Sequence, residues 1–170
     1  ASLIVDSTSA IDVTGRGYRG GNRDGADCFG RTLGDAPGSG LRSGGTYGGI
    51  GGIGTGGAGL VFGDLTVPEY LGSGGGCGSS NYAAGYGGGR VELAISHTVR
   101  VDGAIKAVGE AGTGAESGSG SGGSILIRTS DIRGSGSIAA SGGIGEVGGG
   151  GGRIAIYYDT FGGTGEDFGQ

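Results

Sequence analysis

The amino-acid sequence predicts an all-β fold, a parallel β-solenoid with packed glycine-rich segments and almost no α-helix. Glycine supplies 51 of the 170 residues, and each glycine destabilises a helix or strand interior by about 0.5–1 kcal/mol relative to alanine. Apolar residues alternate with polar ones over short runs, as in strands that have one buried face. These runs also resemble one another. We therefore expect stacked strands joined by glycine-rich excursions, in a single domain of residues 1–170.

The repeat shows in the offsets between similar runs. Residues 103–109 resemble residues 136–142 at an offset of 33, and residues 11–15 resemble residues 105–109 at an offset of 94. Three further strand-like runs are each preceded by a pair of glycines, and they begin at Arg90, Ser124 and Arg153. A unit of about 30 residues that cannot bury its apolar face alone is typical of a solenoid.

The glycine-rich excursions have a period of their own. Over residues 45–57 glycine recurs at every third position, which is the period of the polyproline II helix. Such helices could pack backbone to backbone and exchange hydrogen bonds, whereas a flexible linker is the alternative interpretation. Residues 16–89 form a long insertion that exceeds a plain loop of a compact domain, so we expect it to have structure of its own. Collagen is excluded, because the chain lacks a strict Gly-X-Y repeat and has only Pro37 and Pro68.

Cysteine usage and charge predict the compartment and exclude some partners. A disulfide between Cys28 and Cys77 would fit a secreted protein, and two unrelated thiols are the alternative. The net charge of −5 argues against nucleic-acid binding through a basic surface. No segment approaches the roughly 20 apolar residues of a membrane span. We therefore expect an extracellular or cell-surface protein without nucleic-acid partners or a membrane span.

The sequence offers little for catalysis, and we expect no enzyme. His97 is the only histidine and is expected in an exposed turn between strands. No serine lies in a nucleophile-elbow motif. The acidic pairs Asp24/Asp27 and Asp64/Glu69 are the candidates for binding calcium through oxygen ligands, with solvated loop carboxylates as the alternative. No other cofactor or metal is expected.

The tyrosine side chains leave a carbohydrate-binding function open. They could stack on sugar rings from loops or cover the glycine layer; they are Tyr18, Tyr47, Tyr70, Tyr82, Tyr86, Tyr157 and Tyr158. An adhesin or carbohydrate-binding domain, with glycans as partners, is therefore the alternative function. An enzyme acting on polysaccharides is the third, since such enzymes use paired carboxylates.

The leading functional hypothesis is a structural or assembly module. The first strand-like run contains Leu3 and Val5, and the last contains Ile154, Ile156 and Tyr158. Without capping elements, these end strands could pair with another copy or with neighbouring repeats of a larger chain. Head-to-tail stacking that does not close on itself would give a surface fibre.

Several motifs support this hypothesis through a family resemblance. They are residues 11–17, 47–51, 63–65 and 71–76, and the glycine run at 148–152 that precedes Arg153-Ile-Ala-Ile-Tyr-Tyr. Together they resemble the glycine-rich β-solenoid repeat regions of large bacterial and eukaryotic surface and secreted proteins. A looser likeness is to phage adhesins and antifreeze proteins built from polyglycine II helices. The resemblance implies a β-solenoid with glycine-rich sides and a structural or adhesive role, and it implies no active-site residues.

Overall fold

The computed structural model describes residues 1–25, 27–79 and 82–161. Its regular elements in these ranges are strands and one turn of 3-10 helix: β1 (Leu3–Val5), β2 (Ala10–Asp12), the 3-10 helix Leu33–Asp35, β3 (Arg90–Val101), β4 (Ala104–Lys106), β5 (Ser124–Arg133), β6 (Ser137–Ala139), β7 (Arg153–Tyr157) and β8 (Thr160–Phe161). Within the described ranges, no helix has the length and apolar character needed to cross a bilayer.

The strands form two parallel sheets. The first sheet has the order β1-β3-β5-β7, and β8 also pairs with β5. The second sheet has the order β2-β4-β6. Each strand of the second sheet follows a strand of the first after a short turn, so β1 leads to β2, β3 to β4, and β5 to β6.

The hydrophobic core combines residues of both sheets. Its fully buried members are β-branched or small: Val5, Val91, Val99, Val101, Ile105, Ala107, Ile125, Ile127 and Ile132. Alternation along β3 and β5 directs these side chains to one face. Ile11 and Ile138, from the second sheet, are partly buried against them.

The strand register confirms the repeat alignments. Ile11 pairs with Ile105, which pairs with Ile138, as the offsets of 94 and 33 predict. The strand starts also align, because Ser124 lies between Arg90 and Arg153 in the first sheet.

The predicted solenoid, however, is wrong. A solenoid needs coils of similar length that contact only their neighbours, whereas the structure has two separate parallel sheets and unequal connections. β1 and β3 are adjacent although residues 6–89 separate them, and only residues 134–152 join β5 to β7 through β6. The excursions also bond to segments distant in sequence, so they are not the sides of successive coils.

The glycine-rich excursions associate through their backbones. Tyr18 N–H donates to Gly72 O at 2.9 Å, and three residues further Gly21 N–H donates to Gly75 O at 2.8 Å. The same three-residue advance on both partners links residues 85–88 to 118–121 and residues 119–122 to 147–150. Extended helices with three residues per turn produce this pattern when they lie side by side. These segments are therefore ordered and do not behave as a flexible linker.

We call residues 17–21, 28–31, 72–78, 85–88 and 118–122 the glycine bundle. Residues 72–78 lie at its centre and bond to all four other segments. A Cβ atom built on Gly74 would lie 1.9 Å from Arg19 O, and one on Gly120 would lie 1.9 Å from Tyr86 O. Only glycine allows the backbones to approach this closely.

The structure joins Cys28 and Cys77 in a disulfide that links two segments of the glycine bundle. Their Cα atoms are 4.9 Å apart, a separation typical of disulfides. Beside the disulfide, Cys77 N–H donates to Cys28 O at 2.9 Å. The disulfide therefore cross-links two backbone segments that are already hydrogen-bonded neighbours.

Candidate functional site

The first open edge of the first sheet is formed by β1 and β3. β1 pairs with β3 only over Val99–Val101, so within the described residues no strand lies beside residues 90–95 on that side. Gly89 O accepts from Ser124 N–H at 3.1 Å and therefore points toward β5. Because the direction of backbone groups alternates along a strand, Arg90, Glu92 and Ala94 direct their N–H and C=O groups to the open side.

The second open edge belongs to β7, at the other end of the sheet. Arg153 N–H donates to Gly123 O at 3.0 Å, toward β5. By the same alternation Ile154 and Ile156 direct their backbone groups away from β5. Ile154 is 42% exposed, although it pairs with Ile125 of the core. Since its side chain belongs to the same column, its exposure agrees with the lack of a further strand beside β7 within residues 1–25, 27–79 and 82–161.

Charged side chains near the first edge neutralise one another. Glu92 forms one ion pair with Arg90 and a second with Arg128, the latter at 3.4 Å. Arg100 forms an ion pair with Asp102, and Arg133 forms one with Asp131, each at 2.6 Å. The charges of Arg90, Glu92 and Arg100 are therefore each paired with an opposite charge.

A loop covers part of the outer face of the sheet beside β7. Tyr47, which is fully buried, shares a hydrogen bond of 2.8 Å between its hydroxyl and that of Ser124. The Arg153 guanidinium lies 5.5 Å from the Tyr47 ring and donates to Phe62 O at 2.9 Å. Tyr157 donates its hydroxyl to Thr66 O at 2.7 Å. These contacts hold β7 in place and leave its edge, not its outer face, available for pairing.

Of the predicted assembly residues, Leu3 and Val5 lie in β1, and Ile154 and Ile156 lie in β7. Tyr158 follows the last residue of β7 and is about half exposed. The structure thus divides the five residues between the two open edges, at opposite ends of one sheet.

The calcium candidates do not converge. Asp24 accepts from the Tyr86 hydroxyl, and Asp27 accepts from Phe29 N–H at 3.0 Å and from Arg31 at 3.1 Å. Asp64 accepts from Thr66 N–H at 2.6 Å, in a local turn, and bonds from Thr66 and Val67 lower the pKa of this carboxyl.

The fourth candidate, Glu69, hydrogen-bonds the Tyr70 hydroxyl and raises its pKa. In the described part of the chain, no group of three or more His, Cys, Asp or Glu side chains could hold a metal ion.

A polar cavity of about 580 Å³ lies where the glycine bundle meets the second sheet. Arg16, Asp24, Tyr86 and Glu110 line it. The bond from Tyr86 to Asp24 raises the pKa of the tyrosine, and Arg23 lies 5.1 Å from the ring. The side chains of Tyr86 and Asp24 thus bind each other at the wall of the cavity.

His97 lies inside β3 and not in a turn between two strands, which corrects the sequence-based expectation. β3 continues from Arg90 to Val101, with a register shift relative to β5 between Ile95 and Thr98. In the sequence, this irregularity interrupts the alternation of apolar residues and therefore predicted two strands with a turn between them. A β-bulge absorbs one extra residue without ending the strand.

The open edges must be interpreted from their own geometry. Neither family models, curated proteins nor solved structures match this chain.

Proposed function

We propose that this chain is an extracellular structural module that assembles with copies of itself, or with neighbouring repeats of a longer chain, through the edges of its first sheet. The observation that carries the proposal is the pair of open parallel edges at opposite ends of that sheet, β1 with β3 at one end and β7 at the other. An unpaired edge is a template for another strand. Two different edges at opposite ends give head-to-tail contacts, which extend into a fibre when they do not close.

The apolar column beneath β7 favours such a contact. Ile154 continues the column that contains Val91 and Ile125. A neighbouring strand would cover the exposed part of its side chain, and complete burial of an isoleucine stabilises by about 1.5–3 kcal/mol. Backbone hydrogen bonds along the edge add direction and register.

The glycine bundle and the disulfide suit a load-bearing module. Each bundle segment is held by backbone bonds at every third residue, and the Cys28–Cys77 bond cross-links two segments. Disulfides persist in oxidising compartments, which favours a location outside the cell.

The experiment compares Ile154→Lys with Ile144→Lys by sedimentation velocity and negative-stain electron microscopy. An inward-pointing lysine at the β7 edge would bury a charge in the contact. Ile144 is 90% exposed and lies outside both sheets, so it is the matched control. We expect concentration-dependent filaments for the natural sequence and Ile144→Lys, and monomers for Ile154→Lys. Dispersed monomers of the natural sequence at high concentration, or equal assembly of all three, would contradict the proposal.

A further inference from the structure

The two open edges of the first sheet have complementary steps. At the first edge, β1 projects beside Val99–Val101 and leaves residues 90–95 of β3 without a neighbour in the described part of the chain. At the second edge, β7 projects beside residues 124–128 of β5. Since residues 90–94 align with residues 124–128, the projection of one edge matches the recess of the other.

On this basis we propose that β7 of one copy and β1 of the next copy lie end to end in one layer, and that β8 occupies the place of the incoming β1 in the unassembled chain. This inference rests on the proposed function and names the contacts of the assembly. In it, β7 fills the recess beside residues 90–94 of the second copy. The second copy's β1 lies against residues 132–134 of the first.

The register supports the position of the incoming β1. Leu3 pairs with Val99, and Val99 pairs with Ile132, so Leu3 of a second copy would lie beside Ile132. In the described structure β8 holds this place, because Phe161 pairs with Ile132. β8 has only two residues, whereas β1 has three. β1 of the second copy and β8 therefore compete for the same edge of β5.

The second sheet fits the same arrangement without adjustment. β6 has no second partner in the described ranges, and neither does β2 on its outer side. Ala10 pairs with Ala104, which pairs with Ser137, so β2 of the second copy would add to β6 in the same register. Each copy then contributes three layers to both sheets. At about 4.8 Å between strands, the axial rise is about 14 Å per copy.

An engineered disulfide tests this contact directly. Ile4 and Arg133 both align with Arg100 and are exposed, so the arrangement makes them neighbours between copies. Within one chain they are two strands, or about 10 Å, apart, beyond the roughly 7 Å limit for a disulfide. The variant Ile4→Cys/Arg133→Cys should therefore give a ladder of linked chains on a non-reducing gel. Ile144→Cys/Arg133→Cys is the control and should give none above background.

The competition by β8 is tested in the full chain with Phe161→Pro against Phe161→Ala. Asp159 N–H donates to Ser130 O at 3.1 Å, so by alternation Phe161 also directs its N–H to β5, and proline removes that donor. Alanine removes the side chain and keeps the donor. We expect Phe161→Pro to lower the dissociation constant of self-association about tenfold relative to Phe161→Ala, which corresponds to about 1.4 kcal/mol.

The outcomes separate the two proposals. Assembly that is sensitive to Ile154→Lys but gives no ladder, or that Phe161→Pro promotes no more than Phe161→Ala, would overturn the end-to-end arrangement and leave the assembly function standing. Absence of self-association in every variant would overturn both. A ladder together with promotion by Phe161→Pro would support both.

Discussion

At the scale of single residues, glycine acts here as a backbone contact surface. In the glycine bundle, Gly120 packs against the carbonyl of Tyr86 and its own carbonyl accepts a 2.9 Å hydrogen bond from Gly143 N–H. Backbone packing of this kind leaves no room for a side chain and brings polar groups close enough to pair. The high glycine content therefore reflects close packing and not flexibility.

Gly120→Ala should destabilise the fold strongly. The added Cβ would lie 1.9 Å from Tyr86 O, a backbone atom that cannot rotate away. Overpacking of this kind costs about 3 kcal/mol. Urea denaturation followed by circular dichroism measures the change in the free energy of unfolding.

Gly151→Ala is the control, because a Cβ there would meet nothing within 4 Å. It should change stability by less than about 0.5 kcal/mol. Equal stability of the two variants would show that the bundle does not pack as described.

At the scale of elements, the strands of the second sheet align charges as well as apolar residues. Asp12 pairs in register with Lys106, and its carboxylate accepts from Thr14 N–H at 2.8 Å. The side-chain and backbone bonds of Thr14, followed by the charge of Lys106, lower the pKa of Asp12 below its ordinary value of 3.8.

Stability should therefore fall on acidification. A lowered pKa in the folded state means that the unfolded chain binds the proton more readily. The contribution of Asp12 is thus fully present above its ordinary value of 3.8 and is lost as the pH falls through the lower, folded value. Denaturation midpoints measured from pH 7 to pH 2 should fall, and those of Asp12→Asn should fall less steeply. Parallel profiles for the two proteins would contradict the assignment.

The sequence located these elements well where alternation was regular. Alternation and offsets placed β3 to β7 and aligned them correctly, since period two and one buried face leave little freedom of register. The sequence did not reveal that β3 passes through His97, because a bulge interrupts the alternation while the ladder continues. It also did not reveal β8, whose two residues carry no pattern.

At the scale of the whole molecule, backbone hydrogen bonding continues without interruption from the glycine bundle to the first residues of the long strands. Gly88 N–H donates to Ser121 O at 2.8 Å just before β3, and Gly123 N–H donates to Ala107 O at 2.8 Å just before β5. The chain therefore passes from bundle to sheet without an intervening loop, and the two parts should unfold together.

Hydrogen exchange by NMR can test this cooperativity. Amides of Gly75, Gly85 and Gly118 donate within the bundle and should exchange as slowly as those of β5. Their hydrogen exchange should be slower than in an unstructured chain by a factor on the order of 10³ or more. The exposed Gly25 should exchange much faster. Fast exchange throughout the bundle would show that it opens independently of the sheets.

The sequence by itself determined the local structure of this protein. Alternation fixed the strands and their buried face, repeated runs fixed the register between Ile105 and Ile138, and the glycine content excluded α-helices as the main element. These properties depend on neighbours along the chain or on similarity between segments, and both are visible in a sequence.

Only the tertiary structure decided which segments become neighbours. Apart from Cys28 and Cys77, the excursions carry few side chains that would distinguish one from another, so most of their pairing, including that of residues 72–78 at the centre of the bundle, follows from the position of the sheets. The structure likewise replaced the expected solenoid with two sheets joined to a bundle, and in its described part it left one edge of β3 and one edge of β7 without a neighbouring strand. Backbone hydrogen bonds are the same for every residue, and for this reason a glycine-rich sequence specifies few of their partners.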